Sequence, residues 1–274
     1  MSLVTEVTLG TSVLRGYDGF GKLHTSIPDS EPKVILKATE DIDKLLNAKY
    51  ETLRAMVRGV AMKQINGLLI RGSAGVGKTY TVQEILDELS KTHPDIKPKW
   101  FRGRVTAVQF YLTLAEHRTS KDLLVFDDCD SILQDSNSLE VIKAAMDTQK
   151  IRHVSWKNGT VDPSEFDFDG NLIIITNTEP YNNEDYKAVL DRILSIDFWL
   201  TPQEKLIRIN QLATALVNSN KLTPELKSDI TNWMKNNPML TDDKLSLRTF
   251  VKLMDLAKLS PDKWREYARL TIIR

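Results

Sequence analysis

The chain has 274 residues, 41% hydrophobic and 27% charged, an ordinary globular make-up with room for one large domain or a core with an appendage. Its 37 basic residues balance 37 acidic ones, but residues 201–274 carry a basic excess and the remainder an acidic one, which permits an acidic or nucleic-acid partner without demanding it. The single cysteine, Cys129, excludes an intrachain disulfide, His24, His93, His117 and His153 lack metal-ligand spacing, and no segment is long and apolar enough to span a bilayer.

Cys129 fits a reducing compartment, and the N-terminus lacks a basic start followed by an apolar run. The expectation is a soluble, cytoplasmic protein with no membrane association, in the host cytoplasm if the source is viral. Residues 1–30 are punctuated by glycines and read as an N-terminal arm or extension. Leu3–Leu9 alternates weakly, as an edge strand does, and Leu14, Tyr17 and Phe20 are candidate anchors; simple disorder is the competing reading. Val34-Ile35-Leu36 lies upstream of the first core strand, where a nucleobase would be covered.

The spacing of Ile42, Leu45, Leu46, Leu53, Met56, Val57 and Val60 predicts a helix over 39–63. Gly67–Ile70 is a short apolar strand. It runs into Gly72-Ser73-Ala74-Gly75-Val76-Gly77-Lys78-Thr79, of the form G-x-x-x-x-G-K-T, and then into a helix over 79–89. Strand, glycine-rich loop and helix is the context in which backbone N–H groups cradle phosphates. Lys78 is then placed to reach the β- and γ-phosphates, and the Thr79 hydroxyl to ligate Mg²⁺.

Lys99–Phe101 reads as a strand, Thr106 as the cap of a helix to about Glu116, Asp122–Phe126 as a buried strand, and 139–147 as a helix. The stretch from His153 to Phe168 reads as a hairpin-like insertion. Asn171–Thr176 is a second central strand, and 195–200 the last apolar run. From 201 the pattern turns purely helical, with starts at Thr201-Pro202-x-Glu204, Thr223-Pro224, Ser246 and Ser260-Pro261. Together these predict an α/β fold: a P-loop NTPase parallel sheet between helix layers (αβα) over 31–200, with a small C-terminal helical lid domain over 201–274.

Ligands of such sheets lie beyond the carboxyl ends of the strands. Asp127 is placed there to hold Mg²⁺, and Asp128 to orient a water and accept its proton. Asp130 reads as a residue that holds the turn. Asn177 is a candidate for positioning that water, against an ordinary strand-end turn. Arg192 and Arg248 are candidates for stabilising charge on a transferred phosphoryl group, the first from a neighbouring subunit and the second from the lid, against ordinary surface arginines. Arg152, His153, Trp156 and Lys157 can stack on bases or contact phosphates, although Trp156 reads equally as the hairpin's own core. Arg102, Arg104, His117, Arg118 and Lys121 read as a solvated basic face, and His93 and Cys129 as structural.

These residues together resemble the AAA+ ATPases over roughly 35–270. Gly72–Thr79 is similar to that family's Walker A motif and Leu123–Asp128 to Walker B, with Asp128 where a glutamate is usual. Asn177 resembles sensor 1, Arg192 the arginine finger and Arg248 the sensor 2 arginine. The segments 126–131, 152–156 and 166–170 are similar to a group of phage- and plasmid-encoded members. The resemblance implies ATP and Mg²⁺ as cofactors, ATP hydrolysis, and a homo-oligomeric ring, often a hexamer, with nucleotide between neighbours and the 151–169 insertion as a candidate channel loop. The substrate reading it favours is DNA in viral replication, recombination or packaging. The alternatives are a chaperone-like remodeller of a protein partner and a nucleotide-gated binding module with little hydrolysis. No DNA-binding module is recognisable, and no aromatic-hydrophobic-Gly channel motif lies between the Walker motifs.

Overall fold

The computed structural model describes residues 15–17, 23–25, 39–157, 159, 161–179, 183–219 and 223–273. The chain forms two compact units, Met1–Thr39 and Glu40–Arg274. Within the first, β1 (Arg15–Tyr17) pairs antiparallel with β2 (Leu23–Thr25). The readings of Leu3–Leu9, Leu14, Phe20 and 34–36 fall outside the described residues.

The second unit is built on five parallel strands: β3 (Gly67–Gly72), β4 (Pro98–Arg102), β5 (Leu123–Asp127), β8 (Asn171–Thr176) and β9 (Leu194–Phe198), in the order β4-β5-β8-β3-β9. Every residue of β3, β5 and β8 is buried, as continuous apolar runs in a sheet covered on both faces should be. Side chains alternate between two cores with the period of two that strands impose. Leu68, Ile70, Val125, Ile173 and Ile175 pack with Leu53 and Val57 of α1 (Thr39–Ala61) and with Val82 and Ile85 of α2 (Lys78–Thr92). Leu69, Leu124, Phe126, Leu172 and Ile174 pack with Phe110 and Leu114 of α3 (Ala107–Glu116) and with Leu139 and Ile142 of α5 (Ser136–Ala145). The fold is therefore α/β with a parallel sheet between helical layers. One buried cation ties its edge: the Arg71 guanidinium donates to both Asp197 oxygens, at 2.6 and 2.8 Å, linking β3 to β9.

Thr106 caps α3 as expected, accepting from Gln109 N. α5 starts a turn earlier than its apolar pattern, because Asp135 accepts from Ser138 N and caps it there. Two short helices escape the hydrophobic pattern: α4 (Ser131–Gln134) and α6 (Glu184–Leu190), the latter capped by Asn183. The insertion is a hairpin of β6 (His153–Ser155) and β7 (Glu165–Asp167).

The C-terminal region is α7 (Pro202–Ser219), α8 (Pro224–Asn236), α9 (Leu247–Leu259) and α10 (Trp264–Thr271), a helical region resembling a lid. These helices share a separate apolar cluster that includes Ile209, Ile230, Phe250, Leu253 and Trp264. The Thr201–Glu204 capping box is reciprocal, with Thr201 N donating to Glu204 Oε2 at 2.8 Å and Glu204 N to Thr201 Oγ1 at 3.3 Å. Thr223 and Ser246 cap α8 and α9. The expected start at Ser260-Pro261 is corrected. Ser260 is the C-cap of α9, the chain turns as Lys263 N donates to Ser260 O, and α10 begins only at Trp264, which is buried against Trp233.

Candidate functional site

β3 ends where β9 comes closest. Gly72 has φ +144°, and a Cβ there would lie 2.4 Å from the Phe198 carbonyl oxygen, so no larger residue fits. Ser73 N donates to that carbonyl at 3.1 Å, turning the chain away from the sheet. The loop closes at Gly77, in the left-handed region at φ 95°, which is the N-cap of α2 and supplies no side-chain cap. The first turn of α2 thus presents backbone N–H groups at the positive end of a helix dipole, the arrangement that suits an anion.

Lys78 is 4% exposed. Its ammonium donates to Gly72 O, Ser73 O and Asn177 Oδ1 at 2.7, 2.8 and 2.8 Å. Burial pushes its pKa down to about 8, against the opposing field of Asp128. The charge is held in the loop by neutral oxygens, ready to exchange them for charged ones.

The strand register brings the acids in beside it, because Asp127 and Thr176 close β5 and β8 on the same rim as Gly72. Asp127 is buried, and its Oδ1 accepts from the Thr79 hydroxyl at 2.8 Å. Asp128 adopts φ 55°, unusual for a residue with a Cβ. Its N–H is fixed on Ile175 O at 3.0 Å, and its Oδ1 accepts from Asn177 Nδ2 at 2.5 Å. Burial first, then the Asp127 charge, raises the Asp128 pKa, with Arg248 opposing. Asp130 takes the structural part expected of it: its Oδ1 accepts from the Thr176 hydroxyl at 2.5 Å, fastening the turn after β5 to the end of β8.

The helical region reaches the same place. Leu247 N, at the start of α9, donates to Gly75 O at 2.8 Å, which sets Arg248 with its Nη2 3.7 Å from Asp128 Oδ2. Arg208 of α7 is buried over the Tyr50 ring at 3.6 Å, with Nη2 3.3 Å from the Thr81 hydroxyl, so α7 is tied to both α1 and α2. Between the loop and these helices lies a cavity of about 450 Å³. Lys78, Thr79, Asp128, Asn177 and Arg248 are among its polar lining, and Tyr80, Leu212, Leu247 and Val251 among its less polar lining. Charged and polar groups that can meet phosphates, in one cavity with apolar side chains that can meet a base, suit a nucleotide.

The donor set also fits magnesium. Mg²⁺ keeps several waters, uses phosphate oxygens and takes only one or two protein ligands, so Thr79 and Asp127 suffice. Among the described residues no group of three or more His, Cys, Asp or Glu gathers to hold a metal by itself.

The structure thus brings together Gly72–Thr79, Asp127, Asp128, Asn177 and Arg248. Arg192 is not with them: it is exposed just beyond α6, its Nη1 donating to Ala188 O at 2.8 Å. The hairpin set is corrected in part. Arg152 is buried, donating to Ala145 O and Gly170 O at 3.1 and 2.9 Å and lying over Phe168. Trp156 packs on Tyr111, with ring centroids 5.5 Å apart. Neither is offered to a ligand. Arg102 is exposed, as a solvated face expects, and in addition its Nε donates to Asp127 Oδ2 at 3.2 Å. The register pairs Arg102 with Asp127, a signal available only once β4 is known to lie beside β5.

The pattern of the ATPase family associated with various cellular activities (AAA) matches residues 68–197. A phage relative, the "Uncharacterized 36.7 kDa protein in nrdC-mobD intergenic region" of Enterobacteria phage T4, is 26% identical over 251 residues, covering 85% of this chain and 76% of that one. In fold, the chain is similar to domain III of the Thermotoga maritima replication initiation protein DnaA, with TM-score 0.51 and 14% identity over 82% of this chain and 93% of that one. Residues 68–197, which hold the parallel sheet, the glycine-rich loop and the paired acids, thus carry the pattern of the AAA ATPase family, and the chain is similar to that family.

Proposed function

We propose that the chain binds ATP with Mg²⁺ and hydrolyses it, working as a motor or switch on a macromolecule. The observation that carries this reading is the bonded series from Lys78 through Asn177 to Asp128, beside the Thr79–Asp127 pair. The 72–79 loop and the Lys78 ammonium bind the phosphates, and Thr79 and Asp127 hold the metal, which when bound neutralises the β- and γ-oxygens. Asp128 accepts the proton of the attacking water, Asn177 fixes that carboxylate and the water, and Arg248 senses the γ-phosphate from the 201–274 lid domain. Arg192, turned away from its own chain's cavity, acts on the site of a neighbour in a ring of identical subunits.

DNA is the substrate we favour, and the basic excess of residues 201–274 supports it. The exposed rim of the 151–169 insertion, which includes His153 and Lys157, is its candidate contact. Among the described residues no helix is long and apolar enough to cross a membrane. Binding of single- and double-stranded DNA across a salt series, with and without a slowly hydrolysed ATP analogue, tests this reading. Nucleotide-dependent binding with a negative salt slope supports it, and no binding in either state turns the proposal to a protein partner.

A further inference from the structure

Arg102 ends the edge strand β4 directly opposite Asp127. Its Nε donates to Asp127 Oδ2 at 3.2 Å while Thr79 holds Oδ1 at 2.8 Å, so both oxygens of that carboxylate are engaged, one of them by a cation. The two partners differ sharply in exposure: the Arg102 side chain is 59% exposed and the Asp127 side chain 7%. The guanidinium therefore approaches from the solvent side and can leave without opening the core. In the same arrangement its Cζ lies 4.9 Å from the centre of the Trp100 ring on the same strand, so Trp100 senses where the guanidinium is. Asp127 and Asp128 are adjacent acids, and a cation on one of them relieves their mutual repulsion whenever no metal is there.

We propose that Arg102 is a displaceable counter-cation for Asp127. It neutralises the metal carboxylate in the empty site, competes with Mg²⁺ for it, and leaves it, shifting against Trp100, when the metal–nucleotide complex binds. The competition sets the Mg²⁺ concentration at which the site closes on its nucleotide. This inference rests on the proposed assignment of Asp127 to magnesium.

The test is the Mg²⁺ dependence of ADP binding to the intact chain, read with a fluorescent ADP analogue at a series of Mg²⁺ concentrations. Removing a single partly exposed ion pair predicts that Arg102→Gln lowers the half-saturating Mg²⁺ by about two- to fivefold, with Arg102→Lys in between. Tryptophan emission is the second readout. Addition of Mg²⁺ and ADP changes it in the parent chain, and the change is lost in Arg102→Gln and in Trp100→Phe. An unchanged or raised half-saturating Mg²⁺ in a folded Arg102→Gln protein overturns the inference. Asp127→Asn separates the two levels. If it abolishes the Mg²⁺ dependence while Arg102→Gln leaves it untouched, the counter-cation role falls and the magnesium assignment stands. If Asp127→Asn leaves the dependence intact, both fall.

Discussion

The Asn177 carboxamide lies between a cation and an acid: its Nδ2 donates to Asp128 Oδ1 at 2.5 Å while its Oδ1 accepts from the Lys78 ammonium at 2.8 Å. The end of β8 thereby fixes the reach of Asp128. Aspartate is a methylene shorter than the glutamate that the resemblance leads one to expect here. The left-handed backbone at φ 55° and the Asn177 bond together set where that shorter carboxylate sits. Asp128→Asn keeps the shape and removes the proton acceptor. ATP affinity should change little while turnover falls by about 10²- to 10⁴-fold, measured as phosphate release under saturating ATP. Unchanged turnover removes Asp128 from its role.

Arg248 rides on α9, which is bonded to the phosphate loop through Leu247 N and Gly75 O. Its guanidinium faces Asp128 from 3.7 Å, where a third phosphate would draw it in. Arg248→Ala should weaken ATP by about 10- to 100-fold, the worth of one or two charge-assisted hydrogen bonds, and leave ADP nearly unaffected. Equal losses for both nucleotides contradict a γ-phosphate role.

Arg192 does not line its own chain's cavity, so the proposed reading places its effect in an assembly. Arg192→Ala should lower turnover by about 10³-fold or more without changing ATP binding. Mixing it with Lys78→Ala subunits should restore part of the turnover, because some interfaces then pair an intact loop with an intact arginine. Absence of rescue at every mixing ratio rules out action across an interface.

Arg152 makes a prediction about stability rather than chemistry. Its guanidinium holds two carbonyls, Ala145 O and Gly170 O, in a buried position over Phe168. Arg152→Ala leaves both oxygens without that donor and should cost about 2–3 kcal/mol, lowering the melting temperature by several degrees in thermal denaturation. DNA binding should be unaffected in the protein that remains folded. Loss of DNA binding without loss of stability returns Arg152 to the ligand-facing set.

Much of this was legible before any coordinates, for identifiable reasons. The sheet announces itself because Leu123–Phe126 and Leu172–Ile175 are continuous apolar runs, which a strand buried on both faces requires. The loop is legible because phosphate cradling demands glycines and a lysine at fixed spacing. Short elements stayed hidden: α4 and α6 are too brief to show a helical period, and α6 depends on the Asn183 cap. The bond of Arg102 to Asp127 is hidden for another reason, since it depends on which strands are neighbours and not on local sequence. Arg152 misleads in the opposite direction and Trp156 leaves two readings open, because a basic and aromatic mixture looks the same whether it faces a base or a core of Tyr111 and Phe168.

The most direct test of the central claim is calorimetric titration of ATP into the intact, folded chain with Mg²⁺ present, beside the same titration of Lys78→Ala. The account predicts saturable uptake by the parent chain, and affinity lower by about 10- to 100-fold or more when the ammonium that spans Gly72, Ser73 and Asn177 is removed. No heat of binding with ATP or ADP in the parent chain, or equal affinity in the two proteins, contradicts it.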